Sequence, residues 1–412
     1  MGSSVKAARL YSPEMQIPFP LEEYKRRMTR VKEAMARQKI DLLYCSAPES
    51  LFYLTGYESS WYQTTGPKDW QPLSGVAIRQ DADKFILFDR DEEEILAHSY
   101  SIATDIRIHR PESGIPEMEF IIKNLKEEGW LKGTVGLEMW SYRPQTSVSQ
   151  MFQVALGKEG CRVVDSSDIV REVRTIKSPQ EMAYSRTAAK IADIGMKAAI
   201  EHIKPGMTEL DVRAEIDYAC AKAGGENPGL PTYVLAGQRS AHPHALASRH
   251  VITPGDIVYV DVCGVYHRYH ADLARTLSMG PPHPDVAKQI DLSAKAWPVL
   301  LKTIKPNCPI IEVNKALEDY YRKAGIWEDR WWVGGYELGI AFPPDWVGVF
   351  AYDPETDPGD RAFSPGMVIN YESDFYLSQG AGLSAIMDTI AINQESAEVL
   401  SKFSPDLIVI EA

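Results

Sequence analysis

Residues 258–277, VYVDVCGVYHRYHADLARTL, alternate apolar and polar side chains before and after a central turn, which predicts a half-buried antiparallel hairpin. Side chains change face at every residue of a strand. Tyr259, Asp261 and Cys263 therefore share one face of the first strand, and His270, Asp272 and Ala274 share one face of the second. If the two faces coincide, Asp261 and Asp272 converge. Each aspartate is embedded in an apolar or aromatic run, which argues against a solvated surface hairpin. Paired carboxylates in such a setting hold a metal, do acid–base or nucleophilic work, or clamp a cation.

A chain of 412 residues with 44% hydrophobic content exceeds what one compact core organises, so two domains are expected. The first part reads as a small α/β unit: an amphipathic helix near 21–38, then strands near 41–45, 75–78 and 84–88. Beyond the charged, helix-forming stretch near 166–174 the pattern becomes long helices followed by long antiparallel strands, the mark of an α+β domain. The boundary is expected between 164 and 165. With 44 basic against 57 acidic residues the formal net charge is −13, and no Lys/Arg cluster stands out, so nucleic acid is not an expected partner. No apolar run approaches a membrane span, and the opening MGSSVKAARL lacks the apolar core of a signal peptide, which points to the cytoplasm and to no membrane partner. The five cysteines are scattered and without CxxC spacing, which suggests neither a disulfide framework nor a thiolate metal site.

Four ordered segments carry a resemblance that covers most of the chain. VREVRTIKSPQEMAYSRTAAKIAD at 170–193 with IKPGMTELDV after it, the aspartate hairpin, GYELGIAFPPDW at 335–346 and FSPGMVINYESDF at 363–375 together resemble the creatinase and aminopeptidase P group, the pita-bread enzymes. The resemblance implies a creatinase-like N-terminal α/β domain over 1–164 and a pita-bread catalytic domain over 165–412. The wording at 269–276 (Tyr-His-x-x-Leu-x-Arg-Thr), the Gly-Tyr-x-x-Gly run and the Pro-Pro-Asp-Trp run are similar to the ectoine hydrolase branch. Metal-dependent members of the group hold two divalent ions on two Asp, one His and two Glu. Asp261, Asp272 and Glu372 match three of these positions; Tyr336 stands where the His should be, and Met387, with Asp388 beside it, where the last Glu should be. A phenol and a thioether are poor partners for hard divalent cations.

Three ionised acids within a few ångströms repel, so something positive should visit the site. The resemblance to creatinase and ectoine hydrolase points to a small cationic or zwitterionic nitrogenous substrate such as a guanidine or cyclic amidine. The expected activity is hydrolysis of a C–N bond without a cofactor, and a single divalent ion on Asp261, Asp272 and Glu372 is the variant of that reading. In the roles that the resemblance implies, Asp261 is the carboxylate nucleophile, and Asp272 and Glu372 clamp nitrogens. His244, which matches the family's substrate-side His, or His270 is the acid or base, and Tyr336 donates to an oxyanion. Residues 52–66, FYLTGYESSWYQTTG, present Tyr57, Trp61 and Tyr62 on an expected loop; in creatinase-like dimers this region caps the partner's site, where aromatic faces attract a cation by roughly 0.5–2 kcal/mol. A homodimer is therefore expected. The competing functions are a metal-dependent Xaa-Pro dipeptidase, a sulfoniopropionate-type lyase of the same fold, and a pita-bread pseudoenzyme that only binds a partner.

Overall fold

The computed structural model describes residues 15–60 and 73–411. The chain divides into two compact units, Met1–Arg174 and Thr175–Ala412.

The first unit is built on a six-stranded mixed sheet of β1 (Leu42–Cys45), β2 (Gly75–Arg79), β3 (Phe85–Arg90), β4 (Ile106–His109), β5 (Thr134–Leu137) and β6 (Arg162–Asp165), in the order β4-β3-β2-β1-β5-β6. The amphipathic pattern at 21–38 forms the helix Leu21–Gln38, which buries Tyr24, Val31 and Met35. Helices Glu117–Glu127 and Thr146–Lys158 bury Ile121, Leu125, Val148 and Phe152 in one cluster with Tyr44 and Phe88 of the sheet. Strand β6 pairs in parallel with β5 through Asp165, and the helix Asp168–Thr175 follows it.

The second unit is a strongly built antiparallel sheet backed by helices. Strands β7 (Tyr233–Ala236), β8 (Ile257–Tyr266), β9 (Tyr269–Met279), β11 (Arg330–Tyr336), β12 (Ala351–Tyr352), β14 (Val368–Tyr376) and β15 (Leu383–Ile392) run in the order β12-β11-β14-β15-β9-β8-β7. Beside them, β10 (Cys308–Pro309) pairs with β13 (Ala362–Phe363), β16 (Ala397–Val399) with β15, and β17 (Ile408–Ile410) with β9. The Ser178-Pro-Gln-Glu181 wording starts the helix Pro179–His202 through a capping box with Pro at the first turn. That helix lies against the β8–β9 hairpin. Gly264 makes the approach possible, since a Cβ there would stand 1.9 Å from the Ala188 carbonyl oxygen.

This backing explains a difference from the sequence reading. The alternation predicts a half-buried hairpin with its aspartates away from solvent, and β8 and β9 are buried almost throughout on both faces. Val258, Val260 and Val262 on one face join Ala192, Met196 and Leu273 in a core under the helix, and Tyr259, Asp261 and Cys263 face the other way. The turn residues His267 and Arg268 take φ of 48° and 64°, the left-handed conformation of a two-residue hairpin. Glu226 holds that turn by accepting the backbone N–H of both, at 2.7 and 2.9 Å.

On the helix-covered face, Arg275 and Asp388 form a fully buried ion pair at 2.9 Å, and Trp297 Nε1 donates to the other Asp388 oxygen at 2.6 Å. Arg275 also donates to the carbonyls of Met387, Phe403 and Ser404, at 2.7–2.8 Å, and so joins β9, β15 and the C-terminal segment. Removing one member of a buried pair leaves an uncompensated charge. Arg275→Met should therefore cost roughly 3–5 kcal/mol in denaturant unfolding, and Asp388→Asn less, since the amide keeps a hydrogen-bonding oxygen. A loss below about 1 kcal/mol for Arg275→Met would show that the pair does not hold the sheet.

Candidate functional site

The register of the second sheet arranges inward side chains in three rows. The middle row runs Tyr233, Asp261, Ala274, Met387, Glu372, Gly334 across β7, β8, β9, β15, β14 and β11. Two residues along the strands, Cys263 faces Asp272, and Thr389 faces Asn370. Thr389 joins this row across β9 and β15, taking the Asp272 N–H at 2.7 Å and donating to the Asp272 carbonyl at 2.9 Å. In the other direction Tyr259 faces Thr276, and Ala385 faces Asp374. On the central strands β9 and β15 these rows carry Ala274 and Met387, Asp272 and Thr389, and Thr276 and Ala385, with Asp261 on β8 and Glu372 and Asp374 on β14 to either side.

Asp261, Asp272, Glu372 and Asp374 thus share one face and are all buried. Their hydrogen-bond donors are neutral. Tyr259 Oη donates to Asp261 Oδ2 at 2.8 Å, and Asn370 Nδ2 donates to both Asp272 Oδ2 at 3.0 Å and Glu372 Oε1 at 2.6 Å. Tyr336 Oη lies 3.5 Å from Asp272 Oδ2 and accepts the indole N–H of Trp346 at 2.9 Å. Asp261 Oδ1, Asp272 Oδ1 and both carboxyl oxygens of Asp374 are buried and meet no fixed side-chain donor, while Asp261 and Asp272 are close enough to share a proton between their carboxyl groups.

Burial, followed by the charge of Asp272, holds the Asp261 carboxyl well above the usual range. Asp272 is raised by burial but drawn back by its donors. Glu372 is pushed up to about 8, by burial first and the Asp272 charge second. Asp374 is raised well above its ordinary value by burial and then by the Glu372 charge. Burial thus favours the protonated forms in this cluster, and among the described residues no fixed cation offsets it.

Asp261 and Glu372 open onto a cavity of about 500 Å³ lined by Tyr233, Tyr259, Tyr336, Trp331, Trp332 and Trp346, with Met387 and His244 also in its wall. A register shift between Arg330 and Trp332 breaks the alternation of β11 and lets two consecutive tryptophans line the same space. Trp346 is placed by the loop after Ala341, whose carbonyl accepts Arg268 Nε and Nη2 at 3.2 and 2.8 Å.

The residues named from sequence fall into distinct places. Asp261, Asp272, Glu372 and Tyr336 come together as described. His244 is exposed at the cavity wall, edge-on to the Trp331 ring at 5.2 Å between centroids. Its loop is tied by buried Glu209, which accepts the N–H groups of Ala236 and Ser248, both at 2.9 Å, and Arg239 Nε at 3.1 Å. His270 is corrected to a structural residue. Its Nδ1 bonds the Arg268 carbonyl at 2.8 Å, its Nε2 accepts the Gly229 N–H at 3.0 Å, and burial with the Arg268 charge pulls it down to about 3. A neutral imidazole with both nitrogens committed to backbone is not an acid or base for a substrate. Tyr57 is also corrected: it is fully buried in the first unit, where its hydroxyl donates to Asp89, and so offers no ring face to a ligand. Trp61 and Tyr62 lie outside the described residues.

Asn370 and Asp374 were missed, although period two in INYESDF places both on the Glu372 side of the strand. Asp388 does not replace the missing glutamate, because it points to the opposite face, toward Arg275.

The five-ligand pattern for two divalent ions does not fit these residues. Met387 offers a thioether, and burial raises the Tyr336 phenol well above its ordinary value while Trp346 engages its oxygen. Among the described residues, no three of His, Cys, Asp and Glu are arranged to hold a metal ion.

A small α/β unit followed by a unit built on an antiparallel sheet with buried carboxylates on one face fits the two-domain pita-bread class. The chain belongs to metallopeptidase family M24: residues 183–394 match that family, and residues 27–176 match the creatinase/prolidase N-terminal domain. It is 25% identical over 385 residues to an Xaa-Pro dipeptidase of Pyrococcus furiosus, covering 93% of this chain and 100% of the relative. It is 28% identical over 416 residues to an ectoine hydrolase of Halomonas elongata, covering 96% and 99%. The fold is shared with a prolidase of Thermococcus sibiricus (TM-score 0.80, 20% identity, 94% and 99% covered) and an X-Pro aminopeptidase of Thermotoga maritima (0.77, 21%, 93% and 99%).

An acid whose folded pKa is raised loses stability as pH climbs from its unfolded value to its folded one, because the unfolded chain ionises first. For Glu372 that window runs from 4.5 to about 8. Glu372→Gln keeps the Asn370 contact and removes the titration. The variant should match wild type near pH 4 and become more stable by about a few kcal/mol near pH 8. Denaturant melts across that range measure it, and a variant less stable than wild type at pH 8 would mean that the carboxylate is held ionised by something else.

Proposed function

We propose that this M24 enzyme hydrolyses a C–N bond in a small cationic or zwitterionic nitrogenous metabolite, a cyclic amidine, guanidine or related amide, without a metal. One observation carries this reading: Asp261 and Glu372 line an aromatic-walled cavity with Asp272 buried beside them, and the fixed cation of the same strands, Arg275, lies on the opposite face. A cationic substrate supplies both a charge and N–H donors to Asp261 and Asp272. The faces of Trp331, Trp332 and Trp346 add cation–π attraction of roughly 0.5–2 kcal/mol.

In this mechanism the bound cation favours ionisation of Asp261, whose carboxylate then attacks the electrophilic carbon. Glu372, which retains its proton at neutral pH, gives it to the departing nitrogen, and Asp272 holds the remaining N–H. With His270 committed to structure, His244 is the imidazole left to activate the water that opens the intermediate. The Tyr336 hydroxyl accepts from Trp346 and turns its single proton toward the carboxylates, so its role is to fix Asp272 rather than to meet an oxyanion. Metal-dependent cleavage of an Xaa-Pro dipeptide is the second reading, supported by the name of the Pyrococcus relative. Tyr336 and Met387 weigh against it, and they weigh equally against a metal-dependent sulfonium lyase. A pseudoenzyme has no use for four buried, mutually repelling acids. The same reading takes the protein to be a cytoplasmic homodimer. Among the described residues no helix is long and apolar enough to cross a membrane, and Trp140 and Tyr142 are exposed on the first unit, as suits an interface.

In a thermal-shift series, guanidines, amidines and cyclic amidine amino acids should raise the melting temperature, while plain carboxylates and neutral amides should not. Asp261→Asn should still be stabilised by the same cations yet lose turnover of the one that is hydrolysed by orders of magnitude. If anions are the best stabilisers, or if the variant keeps more than about a tenth of the turnover, the reading is wrong.

A further inference from the structure

Asn370 is fully buried, and its amide orientation follows from its contacts. The side-chain oxygen accepts the Tyr336 backbone N–H at 2.7 Å, so the NH2 group is turned to the acids, donating to Asp272 Oδ2 at 3.0 Å and Glu372 Oε1 at 2.6 Å. A flipped amide would set its oxygen against two carboxyl oxygens and its NH2 against a backbone N–H, losing all three bonds. The backbone there is equally constrained. Tyr352 Oη donates to the Asn370 carbonyl at 2.7 Å, and a Cβ on Gly335 would stand 2.1 Å from the same oxygen.

A divalent ion bridging Asp272 Oδ2 and Glu372 Oε1 would stand about 2.0–2.6 Å from both, in the place between them that the Asn370 NH2 group occupies. Ion and amide therefore compete for one place. We propose that Asn370 is a positioning residue whose carboxamide takes the bridging place between Asp272 and Glu372, holding the two acids together with N–H donors and excluding a divalent ion. This rests on the metal-free reading above and adds a cause to it. Tyr336 and Met387 only fail to bind an ion, whereas Asn370 fills the space where one would sit.

The test is a Mn²⁺ titration of the full chain by calorimetry, comparing wild type with Asn370→Ser and Asn370→Asp, with circular dichroism to confirm folding. Asn370→Ser adds no charge, so a gain in affinity there reports the loss of the amide alone, and it carries the test if the Asp variant does not fold. Wild type should show no saturable binding below the millimolar range, and each folded variant should bind Mn²⁺ about tenfold tighter or more. If wild type binds no Mn²⁺ and the folded Ser variant binds none either, the assignment of Asn370 fails while the metal-free reading stands. If wild type itself binds Mn²⁺ at micromolar levels, both fail together.

Discussion

Four carboxyl groups buried on one face of an antiparallel sheet, answered only by neutral donors among the described residues, set the terms for everything else in this site. Water would solvate four carboxylates at little cost, but the interior does not, and a neighbouring cation is the usual remedy. Here the remedy is partial. Two phenols and one carboxamide occupy one oxygen of each of three acids, and protons retained by Asp261 and Glu372 lower the remaining repulsion. What is left is a buried group of acids of which Asp261 and Glu372 line an aromatic cavity, the basis for the cationic ligand proposed above.

The same alternation that gathers the acids removes the positive charge from them. Arg275 and Asp388 are one residue away from Ala274 and Met387 of the middle row, and that single step turns them to the helix-covered side, where they bind each other. The strand pair β9–β15 thus carries a closed, self-neutralised ion pair on one face and uncompensated acids on the other. Stability and chemistry are separated by the thickness of the sheet. In the function proposed above, an M24 enzyme with Tyr336 and Met387 at two of the five positions where metal-dependent members carry ligands takes its positive charge from the substrate rather than from a resident ion.

Much of this was legible in the residues themselves. Period-two alternation in 258–277 gave the hairpin and brought Asp261 and Asp272 to one face, and Ser178–Glu181 marked a helix start that the capping box confirms. The four ordered segments led to the family, which residues 27–176 and 183–394 bear out. His270 was misjudged because parity fixes a face and not a depth. At the end of β9 its ring meets the Arg268 carbonyl and the Gly229 N–H, a loop contact that no strand pattern encodes. Tyr57 was misjudged for a related reason, since its aromatic neighbours suggested an exposed loop and its hydroxyl instead serves Asp89 in a core. The paired tryptophans of the cavity depend on a register shift in β11, and such a shift is decided by tertiary packing rather than by local wording.

The central claim is that the positive charge of this site comes from the substrate and not from a resident ion. Elemental analysis of protein purified without chelators, for Mn, Fe, Co and Zn per chain, tests it most directly. The account predicts far less than one ion of any of these per chain. One or two ions per chain, retained through gel filtration, would contradict it.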